Sequence, residues 1–568
     1  MIKIKNKEQI EIAGLEEWRN HYSTKKIMRL EKSWAFAFHE FILPHLPVES
    51  LRKFYSDKKG RKSKELYAAM GAVILQQFFD LSDDETVDKL AFDQQWHFAL
   101  DCFDEKDQVT CARTIFTMRK QITEENLADK IFAQATDVMV KAFLIDVSKM
   151  RLDSVHVYSN MACLGRIRIL QAAIVKFSRN LKRKHPKQFN SLISEDLKDK
   201  YLNKDAESCF SLIKPSERER NLQSRADDMY SLIKIFQNNK KVSNMSSYKL
   251  LCQIFDEQCT AGENEAIVKK PKEVCSDSIQ NPSDPDAGFD GHKGQGYQTQ
   301  LMETCQTKEE KKSSEPSKPG LILYVETESA DKHDSNALDP AIKEVTERGH
   351  HCKKLLADAA YGGTKNTEKA QEYDVDIVSP TLGRTSEKQH EKFCYNGDTY
   401  EVTACPAGKK PDEVKYNKKK SITAIWYGAT CAGCPKSGEC PAQECNKGRK
   451  HYYTISSMKC HFRREYEKSK EFIEQYKLRS GIEATNSRFI SMTGGRRSRY
   501  RGLKKMRFSQ KLKALAINMY RIAKYLRELP DSVHISDFWS YFPCFRLLRS
   551  RKLTFTAHKT DNLIFMRN

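Results

Sequence analysis

The 568-residue sequence has no run approaching the ~20 consecutive apolar residues of a membrane-spanning helix. That sets aside a helical membrane protein, and no membrane partner is expected. The first residues, MIKIKNKEQIEIAG, carry lysines with no apolar stretch after them, so a secretory leader is not expected and a cytoplasmic location is. Negative charge is also short. Asp and Glu number 76 against 97 Lys and Arg, a formal net charge of +21 with a pI near 9.1. The excess favours a polyanionic partner, and its clustering favours nucleic acid. Without a leader, the 17 cysteines point to reduced thiols or metal ligation and away from a disulfide framework. The length suits two to four domains with a sizeable core.

The most informative stretch is YKLRSGIEATNSRFISMTGGRRSRYRGLKK, residues 476–505. Tyr476, Arg479 and Glu483 are spaced i, i+3 and i+7, which places them on roughly one face of a helix. Gly481 inside it costs about 1 kcal/mol relative to Ala, so something packs closely there. Beyond Gly494 and Gly495 lies a basic run containing Arg496, Arg497, Arg499, Arg501, Lys504, Lys505 and Arg507. A carboxylate on a helix followed by so much positive charge suits phosphodiester chemistry. In isolation a solvated surface helix with a basic tail is the better reading of the stretch.

The Tyr, two residues, Arg, three residues, Glu pattern resembles the signature around the last catalytic acid of DDE transposases from bacterial insertion sequences. RLDSVHVYSNMACLGR (151–166) resembles the strand with that family's first Asp, and LLADAAYGG (355–363) the strand and turn with its second. The phrase DPDAGFDGHKGQGYQTQLMETC (284–305) is most similar to the insertion-sequence eleven-eighty-two group. One position departs. The wider signature has Lys seven residues after the Glu, where this chain has Ile490, and whether Arg488 or Arg496 substitutes is open.

The resemblance implies an α/β protein: an RNase H-like catalytic core with a helical N-terminal domain and a cysteine-rich insert. Residues 1–145 read as helical, with Ser82 or Asp83 and then Thr110 as helix caps, and with Arg113, Arg119 and Lys120 as outward charges. Such a domain is compatible with a DNA reader or with ordinary helical packing, and in the resembled family it engages element ends. The core is expected in two parts. The first, 146–387, contains a helical insertion at about 165–260 and a linker at 261–286. The second, 461–530, carries the Glu483 helix and an amphipathic helix expected to pack on the sheet. A tail, 531–568, is not assigned.

The insert, 388–460, holds Cys394, Cys405, Cys431, Cys434, Cys440, Cys445 and Cys460. CAGCPKSGEC supplies a C-x2-C pair and a further Cys six residues on, and Cys405 or Cys445 could complete four Zn2+ ligands. Unligated thiols are the even alternative. The small, polar look of the insert would make a metal staple useful.

By the resemblance, Asp153, Asp358 and Glu483 are catalytic and hold Mg2+ (or Mn2+). Tyr476, Arg479, Arg488, Arg496, Arg497, Arg499, Arg501, Lys504 and Lys505 contact DNA. Two such ions roughly 3.5 to 4 Å apart activate water or a 3′-hydroxyl and stabilise the leaving oxygen. The implied activity is cleavage and strand transfer on double-stranded DNA, at element terminal inverted repeats and target, by a homodimer assembled on DNA in a bacterial, nucleoid-associated setting. A catalytically inactive DNA-binding derivative, or an RNase H-like nuclease or resolvase, are the alternatives.

Overall fold

The computed structural model describes residues 3–4, 22–56, 63–203, 217–263, 265–305, 316–382, 390–417 and 420–529; the tail 531–568 lies outside them. The chain is mixed α/β and divides into two compact units. One is Met1–Asp146 with Gln306–Ile322 and Lys511–Asn568; the other is Val147–Cys305 with Leu323–Gln510.

The first unit is helical where described. Its central helix, Leu66–Phe78, is buried almost all round, as its nearly unbroken apolar sequence requires. Ser82 caps the next helix, Asp83–Phe92, in a reciprocal box with Glu85. Two expectations fail here. Thr110 is not a cap: Cys111 holds that position, its side chain capping no backbone N–H, and the Thr110 hydroxyl is buried without a partner. Arg119 does not face outward, because its guanidinium pairs with Asp83 (Nη2 to Oδ2 3.0 Å) and donates to Gln76 (2.9 Å). Arg113 and Lys120 are exposed as expected.

The long helix Leu503–Glu528 was expected on the sheet, but from Lys511 onward it belongs to the helical unit. There Leu512, Leu515, Met519 and Ile522 are buried, and Lys513 pairs with Asp80 at 3.0 Å. Asn518 holds the backbone of Ile322 from both sides, accepting from its N–H (2.7 Å) and donating to its carbonyl (2.8 Å).

The second unit is built on a mixed sheet. β1 (Lys149–Tyr158) lies antiparallel to β5 (Gly294–Thr304) and parallel to β7 (Lys354–Leu356), which lies parallel to β8 (Asp376–Val378). β4 (Gly288–Asp290) and β6 (Ile322–Ser329) pair with the far side of β5. β1 lies between β5 and β7; Met150 and Leu152 are buried on one face and Val155 and Val157 on the other, while Arg151 and Asp153 keep partial access.

Between β1 and β4 the helices of Arg166–Gln258 form their own core, in which Phe177 packs edge-on against Phe236 and Tyr248. The expected linker is not a loose connection. It holds the end of a small hairpin, β2 (Cys259–Ala261) and β3 (Ala266–Val268), and then buries Ser278, Ile279, Asn281 and Asp284.

The insert pairs β9 (Cys394–Tyr395) with β10 (Val402–Ala404). It adds a sheet in the order β11 (Glu413–Asn417), β12 (Ser421–Tyr427), β14 (Gly448–Thr454), β13 (Gln443–Cys445). Phe393, Val402, Ile422, Trp426, Tyr453 and Met458 fill its centre. It is therefore not a polar module lacking a core.

Candidate active site and nucleic-acid face

The first half of β1 carries Arg151 and Asp153 on one face, two residues apart. β7 lies parallel beside it, so the chain leaving β7 delivers Asp358 to the same end of the sheet. Asp358 opens a tight turn, Ala359–Tyr361, and accepts the Ala360 N–H at 2.9 Å. Its carbonyl accepts the Ser379 hydroxyl at 2.5 Å, which ties it to the segment after β8.

Burial pushes the Asp153 carboxyl up to about 6; Asp358 and Asp334 push the same way, against the Ser154 backbone N–H and Arg479. Asn486 donates to Asp153 Oδ2 at 3.1 Å. The buried Tyr361 phenol donates to Gln300 (2.6 Å), and Gln300 donates to Asp334 (2.8 Å). Burial, followed by Asp334, Asp153 and Asp358, holds that phenol well above its usual range, so it stays a donor.

The Tyr476–Glu483 segment is not one continuous α-helix. Lys470–Tyr476 is α-helical, Lys477–Ser480 tightens to a 3-10 turn, and Gly481–Thr493 is α-helical again. Arg479 is the hub of the signature. It lies 3.7 Å from Asp153 Oδ2, donates to Glu483 Oε1 at 3.2 Å, and sits over the Tyr476 ring at 5.9 Å from its centre. Tyr476 in turn stacks on Phe472 (5.6 Å between ring centres). Asp153 is 16% exposed and Glu483 63% exposed, and Arg479 links the two.

The basic run is pinned and not a free tail. Tyr158 donates its N–H to the Arg496 carbonyl (2.8 Å) and bridges to Arg497, while the Arg496 guanidinium lies over the Tyr158 ring. Asp284, fully buried, accepts from Tyr297 and Ser159 (both 2.6 Å) and from the Gly502 N–H (2.9 Å). Asp286 accepts the Leu503 N–H at 2.8 Å, at the start of the long helix. Gly502 takes φ +88°, the left-handed region that favours glycine. Arg488, Arg496, Arg497, Arg499, Arg501, Lys504 and Lys505 are all exposed. Arg501 also donates to Asn160 at 3.2 Å.

In the insert, Cys405, Cys431, Cys434 and Cys440 line one cavity with Trp426 and Arg449. Burial pushes the Cys431 thiol up, and Cys440, Cys405 and Cys434 add to that. Cys445 is not in that lining. Among the described residues no group of three or more His, Cys, Asp or Glu side chains is arranged to hold a metal ion. This applies to the four cysteines and to Asp153, Asp358 and Glu483 alike.

Sequence reading missed Asn486, Tyr361, Asp334, Asp284 and Asp286 as parts of this region. All but Asp334 lay within a quoted phrase, but nothing in the local pattern singled them out.

Two family profiles match the chain: "Transposase DDE domain" over residues 404–523 and "Transposase domain (DUF772)" over residues 16–121. Both are transposase families. Together they support a transposase of the insertion-sequence type, acting in DNA transposition. The first match takes in the four cysteines of the cavity, Glu483 and the basic run; Asp153 and Asp358 lie outside both. No curated protein matches. One solved structure that matches is a cryo-EM structure of piggyBac transposase in a synaptic complex with hairpin DNA. It is 9% identical over 97% of this chain and 85% of that chain, with a TM-score of 0.29. A likeness that low carries no weight for the fold.

Proposed function

We propose that the chain is a DDE transposase of an insertion sequence that binds the element ends and catalyses metal-dependent DNA cleavage and strand transfer. The observation that carries this is the junction of Asp153, Arg479 and Glu483. The signature helix lies against the very strand that carries the first acid, with Asp358 at the end of the neighbouring strand. The order of elements in the main sheet, with one strand, a helical insertion, three strands (β4, β5 and β6), a helix and two more strands (β7 and β8), supports an RNase H-like core. The phrase at 284–305 supports the eleven-eighty-two group.

Asp153, Asp358 and Glu483 are hard oxygen donors of the kind Mg2+ or Mn2+ takes, and few protein ligands are needed because Mg2+ keeps waters. When bound, two such ions supply an activated oxygen nucleophile and stabilise the leaving oxygen. The chain's own residues do the rest. Arg479 lies between Asp153 and Glu483 and offsets their charge, and it would be available to a phosphate if cations took those acids. Asn486 orients the Asp153 carboxylate, and Tyr476 borders the same acids. Arg496, Arg497, Arg499 and Arg501, on a loop fixed by Tyr158 and Asp284, lie along the DNA backbone with Arg488, Lys504 and Lys505. Their phosphate contacts set position and carry little base information. Double-stranded DNA, as terminal repeats and target, is the partner, and a homodimer forms on it.

The four thiols around the Cys431 cavity are a donor set suited to structural Zn2+, which binds four thiolates tetrahedrally at ~2.3 Å. Arg449 lines the same cavity and would offset their negative charge.

The test is an end-nicking assay with Mg2+ on DNA carrying the element's inverted repeats, paired with gel-shift binding. Asp358→Asn keeps size and loses an anionic ligand, so cleavage disappears while end binding stays. Wild-type cleavage by Asp358→Asn would overturn the site.

A further inference from the structure

Beneath the Glu483 helix lies a buried ion pair that the proposed chemistry does not use. Glu303, on β5, has no exposure at all and stands directly opposite Arg151 in the β1/β5 register. Arg151 Nε donates to Glu303 Oε1 at 2.6 Å. The other arm of the same guanidinium, Nη1, donates at 3.0 Å to the carbonyl of Leu478, in the 3-10 turn that precedes the helix. Thr485, buried on the helix itself, donates its hydroxyl to the Glu303 carboxylate, 2.9 and 2.8 Å from its two oxygens. Strand, turn and helix thus meet on one ion pair.

The same contact explains Gly481. A Cβ at this position would lie 1.9 Å from Arg151 Nη1 and 2.6 Å from Cζ. A free arginine would swing aside. This one is held by Glu303 and by the Leu478 carbonyl, and a buried carboxylate left without its partner is costly. Gly481 is therefore the point where the helix must come close enough for both hydrogen bonds to form. Glu483 is two residues beyond it, and Asp153 two residues beyond Arg151.

We infer that Arg151, Glu303, Thr485 and Gly481 form a positioning lock that sets the height and rotation of the Glu483 helix over Asp153. They are positioning residues: none of them touches the acids' outer face. The inference rests on the proposed metal-dependent site, and it adds that this site's precision comes from the lock. Groups that orient metal ligands typically carry 10–100-fold of metal affinity, by order of magnitude.

The experiment uses the full chain and Mn2+ as the probe. Binding is read by electron paramagnetic resonance, and hydrogen exchange reads the Gly481–Thr493 amides against those of β1 and β5. Thr485→Val removes the hydroxyl at nearly constant shape; Gly481→Ala inserts the blocked methyl. Both are expected to weaken Mn2+ binding by roughly 10–100-fold and to speed exchange in the helix while the strands keep their protection. Arg151→Lys keeps the charge but lacks the fork that fills the glycine's space, so in that background Gly481→Ala should regain much of the lost affinity. Unchanged Mn2+ binding and exchange in both single variants would overturn the lock. If a single variant fails to fold, the double variant decides: recovery supports the lock, and no recovery overturns it. Asp153→Asn separates the underlying reading. Should it bind Mn2+ as wild type does, the metal site itself is wrong and the lock falls with it.

Discussion

On the sheet, Asp153 is held among Asp358, Asp334 and Arg479, and burial raises its carboxyl to about 6. In the insert, Cys431 and its neighbouring thiols border Trp426 and an aromatic core, where Phe393 stacks on His451 at 4.1 Å. Both regions carry candidate metal ligands. One gathers like charge and offsets it with a single arginine, an arrangement that is poorly stable until a cation arrives. The other gathers thiols at the edge of a hydrophobic centre of its own. A cation should therefore change the first region's function and the second region's local order.

The largest contrast is expected from Asp153→Asn. Cleavage should vanish, yet the metal-free protein should become more stable. The native carboxyl has its pKa raised above the ordinary 3.8 to about 6. The native state thus binds more protons than the unfolded chain between those values, and stability falls as pH rises through that window. Removing the charge should return on the order of 3 kcal/mol above pH 6. Denaturant melts at pH 5 and pH 8 test this; a variant less stable than wild type at pH 8 would show that the acid is not under strain.

In the insert the order should reverse. Trp426→Ala should cost about 3–5 kcal/mol, because it empties a fully buried site. Zinc chelation, by contrast, should free the thiols of Cys405, Cys431, Cys434 and Cys440 to react while the β11–β14 sheet persists in circular dichroism. If chelation unfolds that sheet, the insert depends on metal after all. Elemental analysis finding no zinc removes the zinc proposal.

A smaller effect belongs to the basic face. Arg497→Ala should weaken binding across unrelated sequences and flatten the salt dependence of log K by about one unit of slope. An unchanged slope would make the loop after Glu483 a solvated face.

Local pattern carried part of this molecule. The order of strands was readable because apolar alternation and Pro380 mark them, and the Tyr476–Arg479–Glu483 spacing was readable because it is contained in eight residues. What escaped is what long-range contact decides. Arg119 looked like an outward charge on its own helix, and only the fold brings Asp83 to it. The stretch 261–286 looked like a linker because it is polar, but Asp284 is polar in order to hold Tyr297, Ser159 and Gly502. The insert looked coreless because its apolar residues are scattered over several short strands. Gly481 was read correctly as a close approach, though its partner, Arg151, lies 330 residues away in sequence.

The most direct test of the central claim is Glu483→Gln in a single-turnover, Mg2+-dependent end-cleavage assay. Glu483 is the acid inside the matched transposase DDE segment and the one that Arg479 links to Asp153. The expected result is full binding of element ends with no cleavage, in Mg2+ or Mn2+. Cleavage at the wild-type rate would contradict a site built from Asp153, Asp358 and Glu483.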